Sequence, residues 1–174
     1  DCDRTSMKES VERVAVISVH GCPTTAPGRG KSGGMQVYLR QLAVHLARLG
    51  IQVDIFTRRH SADEPEVLWL ADGVRVVHVQ AGPLGHRLDG LYEYTPAFAE
   101  GVRRFRESPD EVGKYDLIHC LYWLSGVVGV ELAREWGVPL VATFHTLAEI
   151  KKRALAGHRE PPIRSQEERR VIAA

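Results

Sequence analysis

The feature that most constrains this chain is the alternation of short β-branched apolar runs with stretches whose apolar residues recur at helical spacing. Arg13 to Val19 (RVAVISV) is almost continuously apolar, the pattern of a strand covered on both faces. A loop rich in Pro, Gly, Thr and Ser follows from His20 to Gly33. From Gly34 to Leu49, Met35, Tyr38, Leu39, Leu42, Leu46 and Leu49 fall at three- and four-residue steps, which predicts a helix that Gly50 stops. Ile51 to Thr57 reads as a second strand. Glu66–Leu70 and Val74–Val79 flank Asp72-Gly73, a strong short signal for a hairpin. Further on, a helix is expected over Thr95–Glu107, a strand over Tyr115–Cys120, a helix over Ser125–Trp136 and a strand over Leu140–Phe144. A basic helix is expected over Leu147–Ala156, ended by Pro161-Pro162, and Ser165 with Glu168 predicts a capping box opening a last helix. Strands alternating with helices predict an α/β fold: a doubly wound parallel sheet with one β-hairpin insertion. In such sheets ligands bind outside the carboxyl ends of the strands, which singles out His20 onward, Thr57-Arg58, Leu121-Tyr122-Trp123 and His145-Thr146.

Composition narrows the class. The 174 residues, 44% hydrophobic and 26% charged, suit one globular domain and exclude a disordered or collagen-like polymer. No apolar run approaches the ~18 residues of a membrane span. Asp1 to Val11 lacks the apolar stretch of a secretory signal, and residues 1–12 are expected as a flexible tail before a domain over 13–174. Cys2, Cys22 and Cys120 show no CxxC spacing. They suit a reducing compartment and argue against a zinc knuckle or a disulfide frame, so the expectation is a soluble, cytoplasmic chain with no metal ligands. The net charge of +1 is unevenly spread: Lys151 to Ala174 carries +4, leaving −3 for the rest. That segment is either a solvated helical end or a patch for an anionic small molecule. A nucleic-acid footprint would need aromatics interleaved among the cations, and they are missing.

The glycine loop offers two decoys. Gly28-Arg29-Gly30-Lys31-Ser32-Gly33 matches GxGxxG, and Asp54 lies about twenty residues on, with Arg58 or Arg59 to take a 2′-phosphate. That motif needs its first glycine at the strand end, yet eight residues, His20 to Pro27, intervene. Gly30-Lys31-Ser32 imitates a phosphate-binding loop that would need glycine where Thr25 stands, and Pro27 removes an amide. What survives is Gly33-Gly34 at a loop-to-helix junction, where backbone amides and the helix dipole favour a phosphate and two glycines let a ligand come close. A glycine N-cap in a flexible loop is the plainer reading of the same residues.

Several segments taken in order are more specific: Ser18-Val19-His20; Gly33-Gly34-Met35-Gln36-Val37-Tyr38; Asp116-Leu117-Ile118-His119 with Tyr122-Trp123-Leu124-Ser125-Gly126; and Phe144-His145-Thr146-Leu147. Together they resemble the N-terminal domain of retaining GT-B glycosyltransferases of family 4, in the branch with the mycothiol-pathway and sucrose-phosphate enzymes. The likeness runs from about Arg13 to Ala173. It implies a Rossmann-like acceptor-side half, with a C-terminal donor half expected beyond this chain. It also implies no cofactor other than a nucleoside diphosphate sugar, here a UDP-sugar, as donor substrate. The other partner is a phosphorylated sugar or cyclitol, and a homodimer is allowed. By the same likeness Gly33, Gly34 and Gln36 would face the donor diphosphate, and Tyr122, Thr146, Arg164 and Arg87 would hold the acceptor phosphate. His20 and His145 would line the reacting centre. Two departures stand out: Leu121 occupies a position where relatives usually have histidine, and Arg87 is the only cation near Leu88, where relatives place a lysine.

Beside these roles stand plainer ones. His145 ends a buried strand and could be a hydrogen-bonded core histidine; His119 reads as structural and Trp123 as packing; Arg164 alone would be a surface residue. No carboxylate pair at glycosidase spacing is present, so hydrolysis has little support. The implied reaction is sugar transfer with retained anomeric configuration, catalysed by positioning and by stabilising the departing diphosphate. The chain by itself is expected to transfer little sugar. A non-catalytic sugar-phosphate-binding module is the alternative, and a dinucleotide-binding domain the third.

Overall fold

The structure, a computed structural model, describes residues 10–24, 33–85, 88–109, 111, 113–155 and 160–174. In chain order the elements are β1 (Arg13–Ile17), α1 (Gly34–Arg48), β2 (Gln52–Arg58), β3 (Val67–Ala71), β4 (Val74–Val79), a 3-10 segment (Leu88–Tyr94), α2 (Thr95–Glu107), β5 (Leu117–Leu121), α3 (Tyr122–Trp136), β6 (Leu140–Thr143), α4 (Ala148–Ala154) and α5 (Pro162–Ile172). The strands form one sheet in the order β3-β4-β2-β1-β5-β6. All neighbours are parallel except β3, which returns antiparallel on β4 through Asp72-Gly73. The expected doubly wound sheet with its hairpin insertion is therefore present.

Strand alternation sorts the core into two layers. Val14, Val16, Val53, Ile55, Val74 and Val76 point to one face and pack under Leu39 and Ala43 of α1. Ala15, Ile17, Phe56, Val77, Ile118 and Cys120 point to the other and meet Phe98 and Val102 of α2 and Leu124, Val128 and Leu132 of α3. Burial on both faces is why the parallel strands read as continuous apolar runs rather than alternating ones. Helix α1 ends as its sequence predicts: Gly50, at φ +86, donates to Ala47 O at 2.9 Å, and Ile51 N donates to Leu46 O at 3.2 Å. These two bonds satisfy the last carbonyls, and the left-handed turn between them is one a side chain at Gly50 would strain.

Two local expectations are corrected. Helix α3 begins at Tyr122, not Ser125, so the polar tip of β5 is itself the first residue of a helix. The last helix begins at Pro162, not at a cap on Ser165. Proline at the first helical position loses no useful donor, so the Pro-Pro pair starts this helix, whereas α4, expected to run to Ala156 and to be ended by these prolines, already stops at Ala154. Glu168, expected to reach back to a cap, instead accepts from Ala148 N at 2.9 Å and Arg164 Nε at 2.7 Å.

At the amino ends of the strands Asp54 is tied into a neutral four-charge network. Its carboxylate receives Arg13 Nη2 and Arg75 Nε at 2.7 Å each and the Tyr115 hydroxyl at 2.8 Å, while Glu111 bridges the same arginines at 2.9 and 2.6 Å. Burial would raise the Asp54 carboxyl, but its bonds to Arg75, Tyr115 and Arg13 outweigh it and hold it below its ordinary range. The residue that would complete a dinucleotide motif is thus occupied, at the wrong end of the sheet for a ligand.

Candidate functional site

The chain leaves β1 toward β2 on one side and enters β5 from the other, so the point where strand order reverses lies between β1 and β5. That is the crevice where open α/β sheets bind ligands. His20, just past β1, and Tyr122, at the tip of β5, meet across it with ring centroids 4.7 Å apart. The Arg164 guanidinium of α5 lies over the Tyr122 ring, 4.7 Å from its centroid. Arg164 Nη2 donates to the Thr146 carbonyl at 2.7 Å and to its hydroxyl at 3.1 Å, joining the segment after β6 to the same group. His145 packs edge-on against Tyr38 of α1 at 5.3 Å, so the first turns of α1 border the group too.

Among the described residues only two non-glycines have positive φ: Tyr122 at 74° and His145 at 58°. Each such conformation costs on the order of 1 kcal/mol or more, and holding both at the switch-point crevice is a mark of a working site. His20 gives a second mark. Its Nδ1 is buried with no hydrogen-bond partner among the described residues. Burial, with His60, His145 and Arg164 nearby, lowers the imidazole to about 4, so it stands neutral near pH 7. Burial also lowers His145 and raises the Tyr122 phenol, keeping both neutral.

Arg164 differs from the surface cation that the sequence alone would make it. Its side chain is 1% exposed and is held by Glu160 at 2.8 Å and Glu168 at 2.7 Å. Lys151 also pairs with Glu160 at 2.8 Å. Arg164 and Lys151 are thus paired with glutamates of their own segment, and its net +4, in which those glutamates are already counted, is carried by the other cations. Arg164 reaches the crevice through Thr146 and Tyr122, which are partly or fully exposed.

Gly33 and Gly34 open α1 as expected, and Gln36 closes the cap: its Oε1 accepts from Gly33 N at 2.8 Å. Gly33 has φ −133°, which any residue adopts, and a Cβ at either glycine would meet no described atom within 4 Å. Neither backbone nor packing demands glycine here. First-turn packing places this helix end beside the β1 loop, since a Cβ at Gly21 would lie 2.3 Å from Met35 Cε.

His20, Tyr122, Thr146, Arg164 and His145 are thus gathered into one group, with Gly33, Gly34 and Gln36 at the adjoining helix start. Arg87 lies outside the described residues, as does most of the glycine-rich loop. His119 is structural, with Nε2 2.9 Å from Thr143 Oγ1 on the next strand, and Trp123 is buried and stacked on Tyr92 at 5.8 Å. Tyr38 and His60 have no site role in the sequence reading: Tyr38, though it closes the Gly33–Tyr38 segment, reads as one more apolar position of α1, and His60 follows a strand end with no motif around it.

Comparison with known proteins bears on this arrangement. A family described as "Glycosyl transferase 4-like domain" matches residues 33–174. The D-inositol 3-phosphate glycosyltransferase of Mycobacterium ulcerans is 45% identical over 179 residues, covering 99% of this chain and 38% of the relative. The protein of the same name from Kineococcus radiotolerans is 49% identical over 148 residues, 84% of this chain and 34% of that one. The chain therefore spans less than two fifths of these relatives. Among solved structures, sucrose-phosphate synthase from Thermosynechococcus elongatus superposes with a TM-score of 0.84 at 33% identity, over 94% of this chain and 40% of the other.

Proposed function

Because the chain belongs to the glycosyl transferase 4-like family, we propose that it forms the acceptor-side half of a retaining glycosyltransferase. In this reading the enzyme moves a sugar from a UDP-sugar to a hydroxyl of a phosphorylated cyclitol or sugar. The observation that carries the reading is the convergence of His20, Tyr122, Thr146 and Arg164 at the switch-point crevice, with two of its residues in left-handed backbone. The names borne by the relatives supply the substrate class.

The Tyr122 and Thr146 hydroxyls receive the acceptor phosphate. Arg164 behind them holds both and lends positive potential, as a planar guanidinium does well. A phosphate arriving there competes with Glu160 and Glu168 for the same N–H groups, so binding couples to a shift of α5. The start of α1 accepts the donor diphosphate on its amides, and the bare Cα atoms of Gly33 and Gly34 leave room for it. In the transfer, the bond from the sugar's anomeric carbon to the diphosphate oxygen breaks and one to the acceptor oxygen forms on the same face. The acceptor proton passes to the departing diphosphate. The chain's contribution is positioning and charge stabilisation, with neutral His20 and His145 offering hydrogen bonds without bringing positive charge.

The test is product analysis of the intact protein with UDP-glucose or UDP-N-acetylglucosamine against a panel of inositol and hexose phosphates. Tyr122→Phe and Thr146→Val should each raise KM for the phosphorylated acceptor while leaving KM for the donor nearly unchanged. Absence of transfer to every phosphorylated acceptor, or an unchanged acceptor KM in both variants, would overturn the assignment.

A further inference from the structure

Outside the crevice, three side chains of metal-ligating type converge from separate parts of the chain. Cys22 follows β1, Glu64 lies in the loop after β2, and His78 is near the end of β4. One ligand atom of each lies within 4.8 Å of the other two. We propose that Cys22, Glu64 and His78 bind one zinc ion, with water in the fourth position, pinning together the loops that follow β1 and β2.

The geometry supports the ligand set in detail. Cys22 Sγ and His78 Nε2 are 3.7 Å apart although 56 positions separate them in sequence. A tetrahedral zinc with bonds of about 2.3 Å to sulfur and 2.0–2.1 Å to nitrogen places those atoms about 3.5 Å apart, so the pair closes on an ion with almost no movement. His78 Nδ1 lies 2.7 Å from the Pro65 carbonyl, which can only accept. The proton therefore sits on Nδ1, and the lone pair of Nε2 faces the thiol, the outer-shell arrangement that metal-binding histidines use. Glu64 Oε2 is oriented by the His60 and Ser61 amides at 2.6 and 3.2 Å. The Thr24 hydroxyl, 2.8 Å from Cys22 Sγ, can donate to the thiolate.

Zinc entering here displaces a proton from Cys22 or His78. Cys22 and His78 are buried and Glu64 is partly exposed, so the carboxylate marks the side from which an ion enters. A bound ion would fix the start of the loop that leads from β1 toward Gly33. This site is independent of the sugar-transfer reading and is tested without activity.

The experiment strips the purified protein with a chelator and titrates it with Co²⁺. One equivalent should bind, with a near-ultraviolet thiolate-to-metal charge-transfer band and visible bands of tetrahedral intensity, and one equivalent of Zn²⁺ should abolish both. Cys22→Ser should remove the charge-transfer band and Cys2→Ser should leave it. His78→Gln and Glu64→Gln should each weaken Co²⁺ binding by more than roughly tenfold. Far-ultraviolet circular dichroism of each variant separates ligand loss from unfolding. Failure of the unsubstituted protein to take up stoichiometric Co²⁺ or Zn²⁺ at micromolar free metal overturns the proposal, as does a charge-transfer band that survives in folded Cys22→Ser.

Discussion

Replacing Arg164 by methionine removes the charge that holds α5 to the segment after β6. Arg164 is 1% exposed and donates to Glu160, Glu168 and both oxygens of Thr146. Methionine refills most of the stem volume, so the loss is electrostatic rather than a cavity. Two carboxylates are left behind, but not equally. Glu160 keeps Lys151 at 2.8 Å. Among the described residues Glu168 keeps the Ala148 amide at 2.9 Å and is 5% exposed at the side chain. Breaking a buried pair by removing one partner costs roughly 3–5 kcal/mol, and retention of the Lys151 contact puts this site at the low end, about 3 kcal/mol. With a urea m-value of about 2 kcal/mol/M, the unfolding midpoint of Arg164→Met should fall by about 1.5 M with m unchanged. The double variant Arg164→Met/Glu168→Gln, which removes the stranded charge but keeps an acceptor for Ala148, should recover at least half of that shift. A single-variant shift below about 0.5 M, or a double variant no better than the single, would refute the account of Arg164 as a buried, carboxylate-matched link.

Asp54→Asn removes one of the two carboxylates that the network sets against Arg13 and Arg75 and should cost about 3 kcal/mol, lowering Tm by roughly 10 °C, with no change in affinity for sugar phosphates; a calorimetric scan and a binding titration on one sample check both parts. His20 titrates near 4 in the folded chain against 6.5 unfolded, so the unfolded state takes up its proton first and stability falls as pH drops through 6.5 toward 4. That loss should reach about 3 kcal/mol at pH 4. His78 works in the opposite sense, since its raised value adds stability below 6.5 that is lost as pH climbs past the folded value, so the comparison is between the parent and His20→Gln. Urea curves at a series of pH values should show the parent losing stability relative to His20→Gln on acidification, whichever is the more stable at neutral pH, and parallel curves would remove the assignment. At His145, with φ 58° and an exposed ring, His145→Gly should be more stable than His145→Ala by about 1 kcal/mol, because only the alanine keeps the left-handed penalty; equal midpoints would show that the backbone there is not strained.

The sheet was legible because burial on both faces writes itself into single strands: RVAVI and VRVVHV need no partner to be read as interior. The hairpin and the stop of α1 were legible for a different reason, since Asp72-Gly73 and Gly50 carry backbone conformations that few other residues take. Strand tips mark the crevice because topology puts ligands there, so His20, Tyr122 and His145 are legible as candidates from sequence. The environment of each was not legible. Arg164 reads as one more cation in a basic stretch, and only the packing of α5 on α3, where a Cβ at Gly126 would touch Val171 Cγ1 at 2.8 Å, turns it inward. Helix α3 was expected three residues late because a left-handed Tyr122 breaks the local preference by which a helix start is recognised. Cys22, Glu64 and His78 lie too far apart in sequence for any ligand spacing, and only the adjacency of β1, β2 and β4 assembles them.

The two ends of the sheet show how this chain separates holding from working. At the amino ends every charge that is drawn inward is answered: Asp54 and Glu111 face Arg13 and Arg75, Tyr115 donates to Asp54, and the network is neutral. At the carboxyl ends Arg164 is likewise matched by Glu160 and Glu168, but other groups are not so settled. Among the described residues His20 keeps a buried nitrogen without a partner, Tyr122 and His145 sit in backbone conformations that their side chains disfavour, and two glycines stand where neither turn nor packing asks for them. Each of these is a local loss that the fold alone would have removed by an ordinary substitution. Local choices that conflict with the global fold gather where a chain is shaped for something other than stability. Here they gather at one crevice, at the point where strand order reverses, and the matched charges lie at the opposite end.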